Sequence, residues 1–119
     1  MEIKFETLTD TKALEDSLER SHVAPVVLFK HSTTCPISSA AYREMSKFNA
    51  APVALVVVQS ARSVSNEIAE RTGIAHASPQ AIVVRNGEAV WSATHYDITA
   101  DAVTRAVEAH AAGQSAAQG

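Results

Sequence analysis

Cys35 is the only cysteine in the 119-residue sequence. It stands in Thr34-Cys35-Pro36-Ile37-Ser38, directly after His31-Ser32-Thr33. With no second thiol, an intramolecular disulfide and a multi-cysteine zinc site are both excluded, leaving a reactive thiol or a small buried hydrophobe. Pro36 lacks an N–H, which costs nothing at the first position of a helix, so a helix is predicted to open at or next to Cys35. A sulfur placed there meets unpaired backbone N–H groups and the positive end of the helix dipole. Both favour the thiolate, the nucleophilic species, and pull the pKa below the free value of about 8.5. The neighbours Ser32, Thr33, Thr34 and Ser38 weigh against burial, so the reactive reading is preferred to the inert one.

A thiol is useful only where strands and helices hold it, and the pattern around Cys35 supplies both. Val26-Val27-Leu28-Phe29, after Pro25, reads as a strand buried on both faces. His31 to Thr34 reads as a polar loop, and Ile37, Ala41, Met45 and Phe48 then recur at helical spacing as one apolar stripe. Upstream, Ile3 to Phe5 alternates as a short strand with Glu2, Lys4 and Glu6 outward. Thr9 is placed to cap a helix running to about Ser21, with Asp10 in its first turn and Leu14 and Leu18 on one face. Downstream, Val53 to Val58 is the most apolar strand, hence expected at the centre of a parallel sheet. Val64 and Ile68 mark a helix to Thr72 that ends on Gly73 with apolar Ile74 after it.

After the loop His76-Ala77-Ser78-Pro79, strands at Ala81 to Val84 and Ala89 to Ala93 flank Asn86-Gly87, a dipeptide that tolerates positive φ and predicts an antiparallel hairpin. Thr99 caps a last helix to about Ala111, with Ile98 and Val103 in the positions of a hydrophobic staple. The order βαβαβαββα predicts an α/β fold with a mixed sheet. No internal repeat and no phosphate-binding glycine loop interrupts it.

Composition agrees with one core and narrows the partners. At 46% hydrophobic and 19% charged residues the chain has enough apolar material for a core and too little charge excess for disorder. Residues 1–112 are expected to form a single domain, and residues 113–119 a flexible tail. A net charge of −3, with Lys and Arg scattered singly, argues against nucleic acid. The longest apolar stretch, 50–58, is broken by Pro52 and falls far short of the roughly 20 residues of a bilayer span. Residues 1–6 lack a basic n-region and a continuous apolar h-region, so a cytoplasmic protein is expected, with no membrane partner.

Thr34-Cys35-Pro36-Ile37-Ser38, preceded by Phe29-Lys30-His31-Ser32, resembles the TCPIS signature of the YtxJ-type monothiol bacilliredoxin family, a branch of the thioredoxin fold. Gly73-Ile74, Ser78-Pro79-Gln80 and Arg85-Asn86-Gly87 resemble the thioredoxin arrangement in which a cis-proline loop faces the active cysteine. The likeness covers roughly Ile3 to Ala111 and implies a thioredoxin-like α/β/α sandwich. It further implies that Cys35 attacks a mixed disulfide between bacillithiol and a client protein, takes up the small thiol and releases the client. Bacillithiol is then a co-substrate, and no tightly bound cofactor is expected. Ser38 stands where dithiol relatives keep a resolving cysteine; its hydroxyl can donate to a thiolate but cannot form a disulfide. Resolution would come from a second bacillithiol or a partner reductase. By the same resemblance, Ser78 presents backbone groups to an extended substrate while a cis Pro79 holds the loop.

Other residues carry weaker signals. Thr34 has two open readings, a hydroxyl near the sulfur or a shaper of the loop. Pro36, placed beside the substrate by the resemblance, acts first through helix initiation. His31 reads as a solvent-facing loop histidine rather than a partner of the thiolate. His22, His76, His95 and His110 lack paired metal spacing and read as exposed polar residues, so no metal site is predicted. Trp91 reads as a packing residue, and Glu67, Glu70 and Arg71 as a solvated helix face. Two other classes compete with the exchange reading. One is a glutaredoxin-like protein holding an iron–sulfur cluster with glutathione; the chain lacks its CGFS sequence and has no Gly-Gly. The other is a redox-inactive thioredoxin-like interaction module, for which an ordinary thiol pKa would speak.

Overall fold

Alternation along three strands divides the core into two layers. In the computed structural model, which describes residues 5–111, Val27, Phe29, Val53, Leu55, Ala81 and Val83 point to one face of a sheet, and Leu28, Ala54, Val56, Ile82 and Val84 to the other. This is the period-2 geometry of strands buried on both sides. Among the described residues the sheet has five strands: β1 (Phe5–Thr7), β2 (Val26–His31), β3 (Val53–Val57), β4 (Gln80–Arg85) and β5 (Glu88–Thr94). Their spatial order is β1-β3-β2-β4-β5, with β3 parallel to β1 and β2, and β4 antiparallel to β2 and β5. The fold is thus the expected thioredoxin-like α/β sandwich with a mixed sheet.

Helices α2 (Pro36–Lys47) and α4 (Ala100–His110) cover the first face through Ala41, Met45, Val103, Ala106 and Val107. Helices α1 (Thr11–Arg20) and α3 (Arg62–Thr72) cover the second through Leu14, Leu18, Val64 and Ile68. Leucine, isoleucine and phenylalanine side chains buried this completely each contribute about 1.5–3 kcal/mol relative to exposure. No helix among the described residues is long and apolar enough to cross a membrane.

Local chemistry sets the ends of the elements. Thr99 Oγ1 accepts from Ala102 N at 3.1 Å, and Ile98 and Val103 are buried together as a staple. Gly73 closes α3 at φ 74°, and Asn86 and Gly87 turn the hairpin at φ 58° and 77°, values that glycine and asparagine adopt readily. That turn is anchored: Asn86 N donates to Ser21 O at 2.7 Å, and Arg85 donates to Ser21 O and His110 O, the carbonyl ends of α1 and α4.

Four details differ from expectation. Asp10, not Thr9, caps α1; its carboxylate accepts from Ala13 N at 2.9 Å, so it precedes the helix instead of lying in the first turn. Among the described residues the first strand runs on past Phe5 to Thr7, because its ladder follows Val53–Leu55 of β3; the rest of the expected strand lies outside the described residues, as does the expected tail. β3 is internal with parallel neighbours on both sides, but the middle of the sheet is β2. A 3₁₀ turn, His95–Asp97, joins β5 to α4.

Candidate active site at Cys35

The C-terminal ends of β2 and β3 and the start of β4 lie at the same end of the sheet, and the polar residues of interest gather there. β2 reaches His31 because Lys30 and His31 pair with Val56 and Val57, and Lys30 with Gln80. Residues 32–34 then cross to α2, with Cys35 as its N-cap (φ −105°, ψ 124°) and Pro36 at its first position. Cys35 thus stands at the N-terminus of α2, as the Pro36 signal predicts, and is partly exposed.

The Cys35 thiol is held below its ordinary pKa. The backbone N–H of Ser38 is the largest cause, with smaller contributions from the N–H of Ile37 and the Ser38 hydroxyl, against partial burial, which raises it. Ser38 is fully buried, not the surface residue its position in a first helical turn would suggest. Its Oγ accepts from Ser32 N at 3.2 Å, which occupies a lone pair and leaves the hydroxyl proton free to be donated. The group that lacks a thiol's chemistry therefore still acts on the thiolate as a donor.

Thr34 takes part in shaping the loop. Gln59, in the turn after β3, donates from Nε2 to Ser32 Oγ at 2.9 Å and to Thr34 Oγ1 at 3.2 Å. Its Oε1 accepts from Thr33 N at 3.3 Å. One amide thus ties all three residues that lead into Cys35, and the Thr34 hydroxyl is engaged on the Gln59 side. Gln59 has no local sequence signal; the pointer available was its place just past the C-terminal end of a parallel strand, where sites of α/β sheets concentrate.

His31 corrects the expectation of a solvent-facing loop. It ends β2 at 8% exposure, its ring 4.9 Å from Tyr42 and 6.0 Å from Phe29. Burial lowers its pKa, against a smaller opposing pull from the Ser38 backbone. A neutral imidazole supplies no positive charge to the thiolate, so the backbone and Ser38 carry that stabilisation.

On the β4 side, the Ser78–Pro79 peptide is cis, as the resemblance implies. Pro79 is buried, and its carbonyl accepts from His95 N at 3.2 Å. The Ser78 hydroxyl is buried without a partner. Among the described residues no backbone bond occupies the Ser78 N–H or C=O. Of the remaining histidines, His22 and His95 are exposed as expected, and His110 is half-buried. His76 is also exposed, yet its Nδ1 lies 3.2 Å from both Lys30 Nζ and Ser65 Oγ. Among the described residues no group of three or more His, Cys, Asp or Glu side chains could hold a metal ion.

The geometry describes a thiol of lowered pKa at a helix N-terminus, a buried serine in the first turn of that helix, and a cis-proline loop at the same end of the sheet. Comparison with known proteins agrees. Residues 6–103 match the family described as monothiol bacilliredoxin BrxC. A solved thioredoxin-fold chain, provisionally described as an oxidoreductase, is 35% identical, with a TM-score of 0.80 over 87% of this chain and 93% of that one. Thioredoxin from Fasciola hepatica (12% identity, TM-score 0.70, 88% and 98% covered) and a point mutant of thioredoxin from Halobacterium salinarum (14%, 0.69, 91% and 91%) share the fold. With its single thiol and the match spanning nearly the whole described chain, the protein belongs to the monothiol bacilliredoxin family.

Proposed function

We propose that the protein removes bacillithiol from mixed disulfides on client proteins, with Cys35 as the nucleophile. The observation that supports this most is the pairing of a depressed thiol pKa with a serine, Ser38, where a resolving thiol would stand. The Cys35 thiolate attacks the bacillithiol sulfur of the mixed disulfide; a Cys35–bacillithiol disulfide forms, and the client leaves as a thiolate that takes a proton from solvent. Cys35 is oxidised and the client cysteine reduced. A second bacillithiol thiolate then attacks the bacillithiol sulfur of the adduct, releasing bacillithiol disulfide and restoring the Cys35 thiolate. Ser78 and cis Pro79 offer backbone positions to the client segment, and Pro36 shapes the opposite rim.

The stoichiometry of this scheme is its test. Mixed with excess S-bacillithiolated client and no free thiol, the protein releases one client thiol per Cys35 and stops; added bacillithiol makes release catalytic. Sustained turnover without added thiol, or undiminished release by Cys35→Ser, contradicts the scheme.

A further inference from the structure

Lys30 is a lysine with no exposed surface, on the face of β2 opposite α2. No carboxylate lies within salt-bridge distance of it among the described residues. Burying an unpaired cation is costly, and a methionine or leucine would fill the same space without that cost. The contact it makes is specific. Lys30 Nζ lies 3.2 Å from His76 Nδ1. An ammonium has only donors, so Nδ1 accepts and the proton of His76 resides on Nε2. Ser65 Oγ of α3 is 3.2 Å from the same nitrogen. Lys30 also lies directly across from Gln80, whose Nε2 donates to Ala75 O at 3.0 Å. The segment 73–79 that ends in Ser78–Pro79 is therefore fastened from beneath at Ala75 and His76, by side chains of β4, β2 and α3.

We propose that Lys30 is a positioning residue for client binding: through His76 it fixes the α3–β4 segment so that the free Ser78 backbone groups meet the client chain. This rests on the exchange reading above and assigns Lys30 a role in recognition, not in thiol chemistry. The groups that lower the Cys35 pKa are Ser38 and Ile37 on α2, which packs on the other face of the sheet, and Lys30 is not among them.

Three variants test it: Lys30→Met keeps the volume and removes the donor, His76→Ala removes the acceptor, and His76→Asn restores an acceptor oxygen near the place of Nδ1. Each is assayed for transfer from an S-bacillithiolated protein and for alkylation of Cys35 by iodoacetamide. Lys30→Met and His76→Ala are expected to raise KM for the protein substrate roughly tenfold with kcat little changed. His76→Asn is expected to recover most of that loss. Alkylation should stay within about twofold of wild type in all three, and the melting temperature of Lys30→Met should be equal or higher. A more stable Lys30→Met with an unchanged KM overturns the proposal, as does a loss of alkylation equal to the loss of transfer. Failure of the wild-type protein to accept the small thiol would instead overturn the functional reading on which the proposal rests.

Discussion

The Ser32 backbone N–H donates to Ser38 Oγ across 3.2 Å, from the loop before Cys35 to the helical turn after it. The oxygen thereby accepts on one side and keeps its proton to donate, and the hydroxyl is one of the groups that lower the Cys35 pKa. Ser38→Ala removes the smallest of the three stabilising contacts and leaves the two backbone N–H groups in place. The pH profile of Cys35 alkylation should therefore move toward higher pH, while staying below that of a free cysteine. Because the thiolate fraction falls at fixed pH, the rate at pH 7 should drop about two- to tenfold. An unshifted profile would show that the hydroxyl does not reach the thiolate.

Replacing that same oxygen by sulfur changes the reaction order. In Ser38→Cys the new thiol lies within reach of the Cys35 adduct and can attack the Cys35 sulfur, expelling bacillithiol and leaving a disulfide between Cys35 and the introduced thiol. Intact mass after transfer should show the adduct replaced by a species that has lost two hydrogens. A stable adduct in this variant would mean that the side chain at position 38 is wrongly oriented for resolution.

Gln59 holds the approach to Cys35 through three hydrogen bonds at an exposed position. Exposed bonds exchange with water at little net cost, so Gln59→Ala should lower stability by less than about 1 kcal/mol. The loop it orders should loosen, and transfer should slow by about threefold or more, since misplacement near a reacting atom is expensive. Hydrogen exchange at the amides of residues 32–35 checks the cause, and wild-type protection in the variant would count against it.

Lys30 makes stability depend on alkaline pH. Burial lowers its pKa from 10.5 to about 8, so between those values the unfolded chain binds a proton that the native chain does not. Unfolding then takes up a proton, and the contribution of Lys30 to stability rises with pH, by on the order of 3 kcal/mol across the interval. In urea titrations Lys30→Met should be more stable than wild type at pH 7, with the difference shrinking as pH approaches 10.5. A difference that is constant with pH would contradict a displaced Lys30 pKa.

The elements were legible in the sequence because local signals agreed with tertiary ones. Pro36 marked the start of α2, Asn86-Gly87 the hairpin, Thr99 with Ile98 and Val103 the last helix, and continuous apolar runs marked the inner strands. The residues misread or left unread lie where tertiary pairing overrides local character. Lys30 and His31 are polar, and His31 reads as loop, yet β3 and β4 on either side continue the ladder through them and bury both. Ser38 is buried because the Ser32 N–H folds back onto it, a contact six residues apart that no periodicity encodes. Gln59 and Thr34 are 25 residues apart and meet only because β2 and β3 are parallel neighbours that end together. Motif residues could thus be named from the chain, whereas the residues that hold them required the sheet.

The most direct test of the account is intact-mass spectrometry of the reduced protein after brief mixing with one carrier protein capped in turn by bacillithiol, glutathione or coenzyme A, with Cys35→Ser as control. Rapid gain of one bacillithiol by the wild-type protein alone is expected, with an equal amount of free carrier thiol. Transfer of none of the three, or preferential transfer of glutathione, would contradict it.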